Sequence, residues 1–185
     1  MDALALVCKI LAGCDAPWWI AGGWALDLHR GESYRAHQDI DVAVLRRDQH
    51  SLRQFLSGWS LSKRAHGLQQ PWMESEQLEL PIHEVHAERN GTRLEFLLNE
   101  ASETHWLFRR DLSISLPLSA MSRRSIGGIP YLCPPVVLLY KAKNPRSKDQ
   151  DDFEQTLPTL QPADRLWLAQ ALEVCHPGHA WLRSL

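Results

Sequence analysis

Residues 18–45 read WWIAGGWALDLHRGESYRAHQDIDVAVL, and this stretch limits the fold more than any other part of the chain. An apolar run, Trp18 to Ala21, is broken by Gly22-Gly23. Trp24 to Arg30 then reads as a helix closed by Gly31, and a polar loop, Glu32 to Gln38, leads into Ile40-Asp41-Val42-Ala43-Val44-Leu45. The order predicts strand, glycine turn, helix, loop, strand. Asp39 and Asp41 stand at alternate positions where the second strand begins. Both therefore point to one face, while Ile40 and Val42 point to the other.

Two carboxylates this close repel each other unless a proton or a cation intervenes. Mg²⁺ takes hard oxygen ligands, commonly one or two carboxylates together with substrate phosphates, and the Asp39/Asp41 pair fits that description. A solvated, acidic strand entrance is the plainer reading. Glu95 discriminates between the two. It lies in the apolar run Leu94-Glu95-Phe96-Leu97-Leu98, where an unpaired buried charge is costly, unless this face of the strand meets water. Beside the Asp39/Asp41 strand it completes a three-carboxylate metal cluster. Two ions held there activate an attacking hydroxyl and stabilise a leaving pyrophosphate.

Gly22 and Gly23 allow close backbone approach, and the N–H groups opening the following helix favour phosphate oxygens. Neither a Walker A loop nor a Rossmann fingerprint is present. Arg35 and His37 lie in the loop before the carboxylates, and Arg35 can meet a phosphate bidentately. The run YKAKNPRSKDQDDF, residues 140–153, supplies Lys141 as the best triphosphate contact if the Val136 helix packs over the site.

Elsewhere, Leu4, Val7, Ile10 and Leu11 recur at helical spacing, and a helix capped by Asp48 is expected over 48–59. Ile82–Ala87 and Thr92–Leu98 alternate as strands around Asn90-Gly91, a strong hairpin signal. Residues 113–135 are expected to be extended or looped. A helix opens near Val136, and helices fill most of 150–175. The fold class is α/β: a core over residues 1–115, then a loop and helical region over 116–185 that closes the site.

With 44% of its 185 residues hydrophobic, the chain can bury a core without staples. A net charge of -2 argues against an extended nucleic acid as partner. The four cysteines are scattered, as expected of reduced thiols in a cytoplasmic protein. Cys175-His176-Pro177-Gly178-His179 lacks the second compact ligand pair of a zinc site. The start has no basic export signal, and no apolar run is long enough to span a membrane.

GGWALD at 22–27, RxHxDID at 35–41 and KAKxxRxKDxxDF at 141–153 resemble the GG/GS…DxD signature of the DNA-polymerase-beta-like nucleotidyltransferase superfamily. They are closer to the aminoglycoside 2''-adenylyltransferase and lincosamide nucleotidyltransferase group. The resemblance implies a small mixed sheet flanked by helices. It also implies transfer of a nucleoside monophosphate, AMP by likeness, from an NTP to a hydroxyl of a small molecule, releasing pyrophosphate. Gly22 and Gly23 would hold the triphosphate, and Asp39 and Asp41 would ligate Mg²⁺. The third family acid is commonly Asp; here the candidate is Glu95. Glu95 and Glu100 are both candidates for the base, and Glu74, Glu76 and Glu79 for an acidic acceptor face. Two further readings are a toxin-like enzyme modifying protein or RNA and a non-catalytic nucleotide-binding module.

Overall fold

The computed structural model describes residues 3–37 and 39–185. At its centre β1 (Trp18–Ile20) and β2 (Asp41–Leu45) pair antiparallel around the helix α2 (Gly22–Arg30). Gly31 ends α2 in the left-handed region, φ 81°, and returns its N–H to Asp27 O at 2.8 Å. Only glycine takes that conformation without a steric penalty. The expected hairpin is β5 (Glu84–Arg89) and β6 (Thr92–Ala101). Asn90 and Gly91 between them have φ 51° and 75°, the two positive values of a two-residue type I′ turn.

Residues 60–71, for which the sequence pattern supplied no element, form a second hairpin, β3 (Ser60–Ala65) and β4 (Leu68–Pro71). It turns at His66-Gly67, again with two positive φ values. After the short strand β7 (His105–Leu107), the strands β8 (Ser115–Pro117), β9 (Ser122–Arg124) and β10 (Pro130–Leu132) occupy the stretch read as extended or looped. The sheet runs β4-β3-β5-β6-β2-β1-β10-β9, with β7 paired to β6 and β8 to β7. It is mixed, because β2 runs parallel to β6 and β1 parallel to β10, while the other pairs are antiparallel.

The helices are α1 (Ala3–Leu11), α3 (Gln49–Phe55), α4 (Pro134–Lys141), α5 (Ser147–Thr156) and α6 (Pro162–Cys175). The helix expected over 48–59 is shorter than its pattern, and Asp48 makes no side-chain cap. It belongs instead to a 3-10 turn, Arg46–Asp48, that precedes the helix. The helix expected near Val136 begins two residues earlier, at Pro134. Two prolines fit the first turn, where backbone N–H groups have no helical partner.

Val42, Ala43 and Val44 are all fully buried, so β2 is covered on both faces. Such a strand reads as a continuous apolar run rather than an alternating one. Helix α4 contributes Val136, Leu138 and Leu139 to the same core. At the C-terminus Trp181 stacks on Phe153 with ring centroids 4.3 Å apart, fastening the last turn to α5. The four cysteines form no disulfide. Among the described residues no helix is long and apolar enough to cross a membrane.

Candidate active site

The glycine pair and the carboxylates meet. Ala21 N donates to Asp41 O at 2.8 Å, pinning the entry of α2 to the start of β2. Gly22 opens the helix with φ 59°, and a Cβ there would lie 3.2 Å from Asp41 Cγ and overlap the carboxylate oxygen. The carboxylate thus rests against the first turn of α2, where unpaired N–H groups and the helix dipole attract anions. Gly23 serves differently: a Cβ there would lie 2.6 Å from Arg35 Nη2 and from His37 Nδ1. Its missing side chain makes room for the loop that delivers Asp39.

Asp41 and Glu95 are direct partners in the parallel β2–β6 ladder, so their side chains leave the same face. Asp39, Ile40, Arg93 and Glu95 border one recess beside them. From the other neighbour of β6, His86 stands opposite Glu95. Burial, then the charge of Asp39, pushes the Asp41 carboxyl above the usual range. Burial and the charges of Asp41, Glu84 and Asp39 push Glu95 up to about 7. The cations nearby therefore do not offset this concentration of carboxylates. A hard, oxygen-seeking divalent ion such as Mg²⁺ fits the donor set of Asp39, Asp41 and Glu95.

Among the described residues it is Glu84, His86 and Glu95, not Asp39, Asp41 and Glu95, that bring donor atoms within 4.8 Å of one another. The hydrogen bonds of His86 give this trio a different character. Arg93, which can only donate, faces His86 Nδ1 at 3.0 Å, so the neutral ring carries its proton on Nε2. That proton goes to Glu84 Oε1 at 2.8 Å. The ring nitrogen with the free lone pair thus faces a guanidinium, and His86 acts here as a holder of Glu84.

A cavity of about 340 Å³ opens on the other side of Asp41, bordered by Gly22, Leu97, Arg109, Tyr140, Lys141 and Arg146 among others. Lys141 reaches it already paired, to Asp149 at 2.9 Å and Asp152 at 2.8 Å. Asp152 is fully buried and also accepts from Tyr34 and from Arg35 Nε and Nη2, at 3.0 and 2.9 Å. Burial alone would raise its pKa; the bonds from Arg35, Lys141 and Tyr34 bring it down to about 2. Asp149, bonded to Arg146 and Lys141, is likewise held well below the usual range despite its burial. His37 bonds to buried Asp27 at 2.6 Å, and Arg30 joins the same carboxylate. The structure thus gathers Gly22, Asp39, Asp41, Glu95 and Lys141, and ties Arg35 to α5.

Of the two candidates for a base, Glu100 bonds to Arg46 at 2.7 Å, whereas Glu95 stays beside Asp41. Glu76, one of the acids suggested for an acceptor face, is paired with Lys63 on β3. Glu84, His86, Arg109 and Arg110 had not been singled out in the sequence. The Asn90-Gly91 turn held a signal for one of them, since counting back from a two-residue loop places His86 opposite Glu95.

A parallel-paired acid dyad, facing a glycine-opened helix in a mixed sheet, belongs to the nucleotidyltransferase fold. Solved structures agree. ANT(2")-Ia in complex with adenylyl-2"-tobramycin has a TM-score of 0.63 at 18% identity, covering 94% of this chain and 99% of that one. Lincomycin-bound LnuA, a lincosamide antibiotic adenylyltransferase, has a TM-score of 0.57 at 14% identity, covering 85% and 96%. Within that class the chain belongs to the aminoglycoside-2''-adenylyltransferase family, whose pattern it matches over residues 3–155. It is 48% identical over 42 residues to 2''-aminoglycoside nucleotidyltransferases of Escherichia coli and Klebsiella pneumoniae. That match spans 21% of this chain and 24% of each relative, about a quarter of their length.

Proposed function

We propose that the chain is a nucleotidyltransferase that moves a nucleoside monophosphate, AMP in the first instance, from an NTP to a hydroxyl of a small molecule. The observation that carries this reading is the pairing of Asp41 with Glu95 on one sheet face, with Gly22 and the α2 N-terminus against Asp41. Asp39, Asp41 and Glu95 would hold Mg²⁺, taken as two ions. When bound, the metal supplies charge neutralisation and Lewis-acid polarisation at the transferring phosphoryl group.

The remaining work falls to the chain itself. The first turn of α2 orients the triphosphate through backbone N–H groups that Gly22 leaves uncovered. Lys141 adds a positive charge to the same cavity, and its two aspartates hold it in place. Arg35, though committed to Asp152, keeps 20% of its side chain exposed and is able to share its charge with a phosphate. Glu95, ionised beside Asp41 once the metal is held, would take the proton of the acceptor hydroxyl. Glu100 is spent on Arg46. Residues 116–185 supply α4 and α5, which close the cavity over Asp41. A cytoplasmic setting suits four cysteines without a disulfide.

The aminoglycosides and lincosamides bound by the structural relatives are the first acceptors to try, followed by simple polyols. Label from an α-labelled NTP is expected on one acceptor, with pyrophosphate released and no transfer by the Asp39→Asn/Asp41→Asn double variant. Transfer that survives in that variant, or nucleotide binding indifferent to Mg²⁺, would sink the reading. In the latter case the chain is a binding module.

A further inference from the structure

The two spaces beside the carboxylates differ in charge. Asp41 borders the cavity that holds Gly22 and Lys141, whereas Asp39 and Glu95 border the separate recess. Asp41 and Glu95 stand abreast in the β2–β6 ladder, so this row divides one space from the other. The recess is acidic, and its one cation, Arg93, turns to His86. The cavity is basic.

Its basic groups fall into two sets. Lys141 is bonded to Asp149 and Asp152, and Arg146 to Asp149, so buried carboxylates answer both of these cations. The second set comes from the chain leaving β7, which pairs with the end of β6 through Glu100↔Leu107 and brings Arg109 and Arg110 to the cavity. Neither guanidinium has a carboxylate partner among the described residues, and Glu100 is taken by Arg46. Arg110 donates to Tyr140 O at 2.9 Å. Arg109 lies over the Tyr140 ring, 5.2 Å from its centroid, and makes no side-chain hydrogen bond among the described residues. Burial holds both guanidinia below their usual value. Lys143 borders the same cavity, also without a carboxylate partner among the described residues. The net positive charge of the cavity therefore sits on the β7 side rather than on Lys141, and a cleft of one sign gathers ligands of the other.

The spacing suits a long anion. From the Asp41–Glu95 row to Asn99, which also borders the cavity, β6 advances by roughly 13 Å at the usual strand rise. The Tyr140 hydroxyl reaches Asn99 at 3.4 Å, so the ring beneath Arg109 marks that far end. A triphosphate whose α-phosphate lies at Asp41 extends along this length towards the two guanidinia.

We propose that Arg109 and Arg110 bind the β- and γ-phosphates of the NTP and stabilise the departing pyrophosphate, which leaves the recess of Asp39 and Glu95 to the acceptor hydroxyl. The inference rests on the transfer reading. In that reaction the acceptor oxygen bonds to the α-phosphorus, and the bond from that phosphorus to the bridging oxygen breaks. The bridging oxygen keeps the electron pair and departs in pyrophosphate, while the hydroxyl proton passes to Glu95. In-line displacement puts the entering and leaving oxygens on opposite sides of phosphorus, and the carboxylate row supplies two such sides. Each guanidinium can grip a phosphate bidentately and meet the charge that develops as the bond breaks. A cationic acceptor then encounters carboxylates and not arginines.

The test uses the full chain with saturating Mg²⁺, titrated calorimetrically with α,β-methylene-ATP, AMP and pyrophosphate. The wild type should bind the triphosphate at least roughly tenfold more tightly than AMP. Arg109→Gln/Arg110→Gln should weaken α,β-methylene-ATP and pyrophosphate by about tenfold or more while AMP stays within about threefold, and Arg109→Lys/Arg110→Lys should recover part of the loss. A second measurement needs no variant: pyrophosphate with Mg²⁺ should shield both arginines of the wild type from phenylglyoxal, read by peptide mass spectrometry, and AMP should not. Unchanged affinity for triphosphate and pyrophosphate in the Gln pair, or equal modification with and without pyrophosphate, overturns the proposal. So does an equal loss of AMP binding in the Gln pair, which would make the arginines a structural prop. A wild type that binds neither nucleotide nor pyrophosphate with Mg²⁺ instead overturns the transfer reading beneath it.

Discussion

Gly22→Ala separates two effects that usually travel together. The native φ of 59° places Gly22 in the left-handed region, where an alanine costs about 1–2 kcal/mol. The new Cβ also meets Asp41, 3.2 Å from Cγ and overlapping a carboxylate oxygen. The backbone cannot slide away to relieve this, because Ala21 N is bonded to Asp41 O at 2.8 Å. The carboxylate must swing instead, and a displacement of about 1 Å in a reacting geometry costs roughly 100-fold in rate.

Gly31→Ala is the internal control. Its φ of 81° imposes a similar backbone penalty, yet a Cβ there meets nothing within 4 Å. Both variants should lose about 1–2 kcal/mol in denaturant melts. Only Gly22→Ala should also lose roughly 100-fold in kcat/KM for label transfer, together with its Mg²⁺-dependent thermal shift. If Gly22→Ala stays within about threefold of Gly31→Ala in turnover, the contact with Asp41 is irrelevant to the site, and the argument from glycine to metal ligand is refuted.

Asp152→Asn leaves Arg35 and Lys141 without their shared buried anion and should cost about 3–5 kcal/mol in urea unfolding; a loss below about 1 kcal/mol would show that the network is incidental. The Glu95 pKa, raised to about 7 from 4.5, means that its proton stabilises the folded, metal-free protein at low pH. That contribution fades as pH rises from 4.5 through about 7, so the metal-free Tm should fall across this window and Glu95→Gln should flatten the profile. Stabilisation by Mg²⁺ should grow over the same window, since its ligands must be ionised; a pH-independent Mg²⁺ shift would contradict this. Asp41→Asn should raise the metal-free Tm near neutral pH, by removing a buried charge repelled by Asp39, while label transfer falls at least about 100-fold. Trp181→Ala, which empties a buried stack on Phe153, should cost about 3–5 kcal/mol by chemical denaturation without changing the Mg²⁺ response.

Local chemistry made much of this molecule legible from its residues. The turn at Gly22, the stop at Gly31, the Asn90-Gly91 hairpin and the buried run of β2 follow from glycine's freedom and apolar patterning, which act within a few residues. The alternation expected of Asp39 and Asp41 stops short, because β2 begins at Asp41 and Asp39 lies in the loop before it. The short strands between 105 and 132 were harder to read, because three residues carry too little periodicity to mark a strand.

What the chain could not show in one dimension was which distant residues share a face. The parallel register that sets Asp41 beside Glu95 depends on how β6 returns to β2 across the fold. No turn between those strands fixes that register, as Asn90-Gly91 does for β5 and β6. The fate of the charges was equally a matter of packing. Lys141 and Arg35 looked alike as phosphate contacts, yet both are bound to Asp152, a residue that burial makes an anchor. Arg109 and Arg110 carry no signal in the sequence and stand in the wall of the cavity that Asp41 borders. The reason is general: hydrophobic periodicity is a local property of the chain, whereas the pairing or isolation of a charge is decided only when long-range contacts remove it from water.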